Sequence, residues 1–64
     1  MRVFNGWVLK VEGQEQTVIG SLKIRSTQSY VLKSAQGTKT CMNRDTLLAK
    51  MASKEITYVR SVSV

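Results

Sequence analysis

Along the chain, apolar and polar positions alternate with the period of two expected of half-buried β-strands, in runs separated by short polar or glycine-bearing segments. Residues 2 to 11 form the first run, with Val3, Trp7, Leu9 and Val11 on one side of the alternation and Phe4 and Val8 on the other. Large apolar groups on both sides predict a strand that is covered twice or that presents one face to a partner subunit. Glu12-Gly13-Gln14-Glu15 interrupts the pattern and Thr17 to Arg25 resumes it, which predicts a hairpin. In this second strand Val18, Gly20, Leu22 and Ile24 share one face, while Ile19, Ser21, Lys23 and Arg25 share the other. A three-residue loop at Ser26-Thr27-Gln28 would set Leu22 opposite Leu32 and Ile24 opposite Tyr30. That register gathers Lys23, Arg25 and Lys33 on the opposite face.

The next interruption, Ala35-Gln36-Gly37-Thr38, places glycine where a tight turn needs a positive φ, and Lys39 to Met42 is the returning strand. Asn43 has the side chain of a helix N-cap, and Asp45 falls in the first turn, where a carboxylate complements the positive end of the helix dipole. Met42 before the cap and Leu47 at the fourth helical position have the spacing of a hydrophobic staple. The helix is expected to run to about Ser53, burying Leu47, Leu48, Met51 and Ala52, with Lys50 and Lys54 near its negative end. A helix this short is marginal alone and must dock on the sheet. Glu55 to Val64 alternates again, Ile56, Tyr58, Val62 and Val64 against Thr57, Val59 and Ser61, a final strand rich in β-branched residues. The pattern predicts a single small domain over residues 1–64 of the α+β class. It is a twisted, mainly antiparallel sheet of about five strands with one short helix between the fourth and fifth. An SH3-like or OB-like partial barrel is the alternative, because short strands curl readily at this size.

Composition adds a class of partner. With 64 residues, 42% of them apolar, the core is small, and either a marginal monomer or an oligomer follows. Ten Lys and Arg against four Asp and Glu give a net charge of +6 and a pI near 10.0, a balance that favours nucleic acid or an acidic protein as partner. The lone Cys41 forms no intramolecular disulfide and reads as a reduced thiol in a cytoplasmic setting. No apolar run approaches the roughly 18 residues of a membrane span, and the first residues lack the basic-then-apolar pattern of a signal peptide.

The absence of His removes the commonest general base and metal-binding side chain. Glu12 and Glu15 lie in or beside a turn, where carboxylates are usually solvated. Cys41 has no His partner, and the alternation sets it opposite Leu32 as a small core residue. Gly13, Gly20 and Gly37 lack the spacing of a phosphate-binding loop. No catalytic residue, metal ligand or cofactor is therefore assigned, and a non-enzymatic binding protein is expected.

Lys23, Arg25 and Lys33, joined by Lys10 and Lys39, carry the main chemical signal: together they would neutralise phosphates along a nucleic-acid backbone. The same residues also read as a solvated face whose lysines keep edge strands from aggregating. Trp7, Phe4 and Tyr30 have the rings to stack on bases, although Tyr30 facing Ile24 and Trp7 heading an apolar strand favour core positions. Phe4 and Val8, together on the outer side of the first strand, are the candidates for a homodimer or protein-partner interface. The helix carries Arg44, Lys50 and Lys54 but reads as a buttress, since Leu47, Leu48, Met51 and Ala52 leave little polar reach for a groove.

From Tyr30-Val31-Leu32 through Gly37, the Asn43 cap and Leu47-Leu48 to Glu55-Ile56-Thr57-Tyr58-Val59, the second half resembles the ending of small uncharacterised proteins of bacteria, prophages and phages. In those proteins a hairpin with a Gly turn leads into a short helix and a closing strand. The resemblance implies an accessory protein of a phage or mobile element that acts by binding, in the cytoplasm of a bacterium or an infected host cell, and it transfers no functional residue. The leading expectation is thus a small basic nucleic-acid-binding or DNA-binding protein. The alternative is a protein–protein interaction module or inhibitor of a host protein, homodimeric through Phe4 and Val8.

Overall fold

The structure is a computed structural model and describes residues 2–63. Its elements follow in the order β1 (Trp7–Val11), β2 (Gln14–Ile24), β3 (Thr27–Ser34), β4 (Lys39–Asn43), α1 (Arg44–Ala52) and β5 (Ile56–Ser61). The strands form one sheet of order β4-β3-β2-β1-β5, with every neighbouring pair antiparallel. β1 to β4 make a meander, and α1 then carries the chain from the β4 edge back to pair β5 with β1. The helix packs against β3, β4 and β5, defining an inner face and leaving an outer face uncovered. This is the expected α+β arrangement. β4 and β5 are the two edges and do not pair with each other, so the sheet stays open.

Turn chemistry sets the register. Val11 pairs with Gln14 across Glu12 and Gly13, at φ 51° and 79°, and Ile24 pairs with Thr27 across Arg25 and Ser26, at 49° and 68°. Two consecutive left-handed residues make a type I′ turn, whose twist matches that of the strands it joins. The second of these turns is the more strained, since neither Arg nor Ser escapes the Cβ penalty. It replaces the three-residue loop expected at Ser26–Gln28, and the register changes with it. Leu22 pairs with Ser29 instead of Leu32, and Ile24 with Thr27 instead of Tyr30. The third connection has its left-handed glycine, Gly37, where the sequence predicts it, at φ 90°. Gly37 N–H donates to the Ser34 carbonyl at 3.0 Å and Ser34 N–H to the Thr38 carbonyl at 2.9 Å, closing a three-residue loop.

Two bulges then invert the alternation. Val18 faces Leu32 and Gly20 faces Val31, which leaves Ile19 as the extra residue of β2. Tyr58 faces Leu9 and Arg60 faces Val8, so Val59 is the extra residue of β5. Each insertion moves the residues beyond it to the other face. Val18 therefore faces inward while Gly20, Leu22 and Ile24 face outward. Tyr58 and Ser61 share the inner face, and their hydroxyl oxygens lie 2.7 Å apart.

Leu9, Val18, Leu32, Leu47 and Ile56 are at most 2% exposed and, with Val3 and Tyr30, form the core between the inner face and α1. Trp7, Val11, Met42, Leu48 and Met51 pack around them, so both members of the expected staple, Met42 and Leu47, join the core. Ala52, expected to be buried, is exposed. Asn43 caps α1, its Oδ1 accepting from the Asp45 N–H at 2.8 Å and the Thr46 N–H at 3.4 Å. At the other end Glu55 N–H donates to the Lys50 carbonyl and Lys54 N–H to the Met51 carbonyl, with Lys54 at φ 66°. This is a Schellman motif in which lysine holds the position glycine normally takes.

β1 begins only at Trp7 because the preceding residues turn. Trp7 N–H donates to the Phe4 carbonyl at 3.3 Å, with Gly6 at φ 95° in the third position, as in a type II turn. Gly6 N–H donates to the Val18 carbonyl at 2.7 Å, and Val62 N–H to the Gly6 carbonyl at 2.8 Å. A Cβ at Gly6 would overlap the Val62 carbonyl oxygen. Gly6 thus ties β1, β2 and the end of β5 together. Val64, placed in the last strand by the alternation, lies outside the described residues.

Candidate functional site

Register carries an unbroken row across the outer face: Arg60 on β5, Val8 on β1, Thr17 on β2, Lys33 on β3 and Lys39 on β4 are successive cross-strand partners. With strands about 4.8 Å apart, the row spans roughly 19 Å. Lys10 lies on the same face in the next row, between Thr57 and Glu15. Lys33 and Lys39 stand directly opposite each other, an arrangement that destabilises a sheet when the charges are alike. An anion seated between them removes that repulsion.

Glu15 is the acidic member of these two rows, and it is engaged: its Oε1 accepts from Arg60 Nη2 at 2.9 Å. That hydrogen bond, the Arg60 charge and, more weakly, Lys10 hold the Glu15 carboxyl below the usual carboxylate range, against a smaller upward effect of burial. Toward the other end of the strands the same face turns aliphatic. Val31 sits between Gly20 and Cys41, Leu22 faces Ser29 and Ile24 faces Thr27. Leu22 is 47% exposed and Ile24 52%. The outer face is thus cationic in one half and apolar in the other.

No family model, curated protein or solved structure matches this chain.

Of the residues singled out in the sequence, Lys10, Lys33 and Lys39 share the outer face, while Lys23 and Arg25 stand apart from them. Lys23 pairs with Gln28, five positions from Lys33 on a strand without a bulge, so the two lysines occupy opposite faces. Arg25 lies in the type I′ turn. The two-residue turn separates Lys23 from Lys33, and the Ile19 bulge separates it from Lys10. Arg60 joins the cations because the Val59 bulge moves it from the face of Tyr58 to that of Lys10; strict alternation from Ile56 gives no sign of this.

The expected apolar pair also separates. Val8 is 3% exposed, enclosed within the outer row, whereas Phe4 is 52% exposed and sits in the turn beside Trp7. They form no common interface. Cys41 pairs with Val31 and is exposed on the outer face, while Thr40 takes the expected place opposite Leu32. Tyr30 is a core residue as expected, 5% exposed, but between Ser21 and Met42 rather than opposite Ile24.

Near the start of α1 a cleft of about 540 Å³ is lined by Arg2, Tyr30, Asn43, Arg44 and Asp45 together with Ser26, Thr27 and Gln28. Among the described residues no group of three His, Cys, Asp or Glu side chains is placed to hold a metal ion, and no helix is long and apolar enough to cross a membrane. What the outer face offers chemically is positive charge spread across the strands of one open sheet face, which can hold an extended polyanion.

Proposed function

We propose that this is a non-enzymatic nucleic-acid-binding protein whose outer sheet face contacts the phosphate backbone through Lys10, Lys33, Lys39 and Arg60. The observation that carries the reading is the directly opposed pair Lys33 and Lys39, in a row that ends on Arg60. Such a pair is unfavourable for the free protein and favourable once a phosphate lies between its members. The net charge of +6 supports the same partner by raising the local concentration of polyanions. Contacts of this kind position the ligand without reading sequence. The setting proposed is the cytoplasm, where Cys41 stays reduced.

Titration of labelled single- and double-stranded DNA and RNA at about 50 and 200 mM salt tests the proposal. Three or four phosphate contacts predict a loss of affinity between the two salts of roughly 40- to 150-fold on a duplex and roughly 20- to 50-fold on a single strand. Lys33→Gln with Lys39→Gln weakens binding across all sequences and flattens the salt slope by about two contacts. Lys23→Gln with Arg25→Gln, placed away from this face, is the comparator. Equal losses in the two double variants, or none in either, would refute the assignment.

The aliphatic half of the face favours a second reading, an interaction module for an acidic protein, with Leu22 and Ile24 rather than Phe4 and Val8 as apolar anchors. Sedimentation of the wild type beside Leu22→Ser with Ile24→Ser reads its homodimeric form: a dimer lost in the variant supports it, and a monomer in both removes it.

A further inference from the structure

The inner face at the β5 edge carries a cluster of rings. The centroids of Phe4 and Trp7 are 5.9 Å apart and those of Trp7 and Tyr58 5.1 Å, with interplanar angles of 56° and 67°. Trp7 packs against the core, but Phe4 is 52% exposed and Tyr58 49%. Both exposed rings are held in place. The Gly6 turn presents Phe4, the bond from Val62 N–H to the Gly6 carbonyl ties the same turn to β5, and Tyr58 Oη is fixed on Ser61 Oγ. The Arg2 guanidinium carbon lies 5.8 Å from the Phe4 ring centroid, which puts positive charge beside the rings.

Tyr58 and Arg60 are two residues apart on the outermost strand, one on each face. A polyanion laid along the row from Lys39 to Arg60 therefore meets the β5 edge and, past it, Tyr58, Phe4 and Arg2. Resting on the phosphate-contact reading above, we infer that the ligand is single-stranded and that Phe4 and Tyr58 stack on its bases, with Arg2 as a local phosphate partner. In a duplex the base faces are covered by their neighbours and these rings have nothing to stack on. In a single strand every base has a free π-face, and a rigid exposed ring next to a cation is the feature that holds it. The strand crosses the outer face by charge and rounds the β5 edge by stacking.

Trp7 is the sole tryptophan and touches both exposed rings, so its fluorescence reports on them. The test titrates the full chain with single-stranded oligodeoxythymidine of about 12 nucleotides and with a duplex of the same length. The variants are Phe4→Leu, Tyr58→Leu and the double change. Leucine keeps apolar bulk against Trp7 and removes the ring face, and far-UV circular dichroism with a melt verifies that each variant folds. The expected result is that the single strand alters Trp7 emission and binds more tightly than the duplex. Each substitution should weaken single-strand binding roughly tenfold while duplex affinity and salt slope stay unchanged. Equal affinity for the two forms, or single-strand binding untouched by the double substitution, overturns the inference. If the Lys33→Gln, Lys39→Gln variant still loses affinity in that case, the phosphate-contact reading stands alone. If neither nucleic acid binds, both fall.

Discussion

Replacing Gly6 with alanine adds one methyl group where three strands converge, and the consequences can be worked out from the turn. At φ 95° an L-residue pays a left-handed penalty of about 1–2 kcal/mol. The added Cβ also overlaps the Val62 carbonyl oxygen, a backbone atom that cannot rotate away, so the turn or the end of β5 must move. Movement strains the bonds from Gly6 N–H to Val18 and from Val62 N–H to Gly6, each worth about 1 kcal/mol. The total is about 3–4 kcal/mol, against about 3–10 kcal/mol for the whole stability of a domain this size. Gly13→Ala is the control, because Gly13 is also left-handed, at φ 79°, but a Cβ there meets nothing within 4 Å. It should cost about 1 kcal/mol. Urea unfolding followed by Trp7 fluorescence measures both free energies, and thermal unfolding followed by circular dichroism should show the Gly6 variant melting roughly 15 °C or more below the wild type. A Gly6→Ala protein no less stable than Gly13→Ala would refute the claim that the approach of Val62 to Gly6 fixes the β1–β5 edge.

Further outcomes follow from other parts of the fold. Lys54→Gly should stabilise the protein by about 0.5–1 kcal/mol in a denaturant titration, because φ 66° at the Schellman position suits glycine better than lysine. Asn43→Ala removes the acceptor of the Asp45 and Thr46 amides and should cost about 1 kcal/mol in the same assay. The lowered pKa of Glu15 means that its pairing with Arg60 contributes stability above the ordinary carboxylate pKa, and that this contribution is lost as pH falls through the folded-state value. Melts across the acid range should show this loss in the wild type and its absence in Arg60→Gln. Leu47→Ala empties the fully buried contact of α1 with the sheet and should cost about 2–5 kcal/mol, leaving the helix poorly docked by circular dichroism.

Features whose physics is local can be read from the residues alone. The Asn43 cap, the left-handed Gly37 and the alternation of the strands act over at most a few residues, so none of them depends on a tertiary contact to be recognised. The composition likewise established the excess of positive charge. Which side chains that charge brings together depends on strand pairing, because face and register follow from how many residues each strand and turn contains. A two-residue turn at Arg25–Ser26 in place of three put Lys23 on the face opposite Lys33, and one extra residue at Ile19 put it on the face opposite Lys10. One extra residue at Val59 brought Arg60 round to Lys10 and left Tyr58 beside Trp7. A bulge leaves no mark in the alternation of its own strand, since it exists only relative to the partner across the ladder. The cationic row and the ring cluster are therefore products of pairing, and Arg60 and Tyr58 join them through a bulge that the residue pattern does not mark.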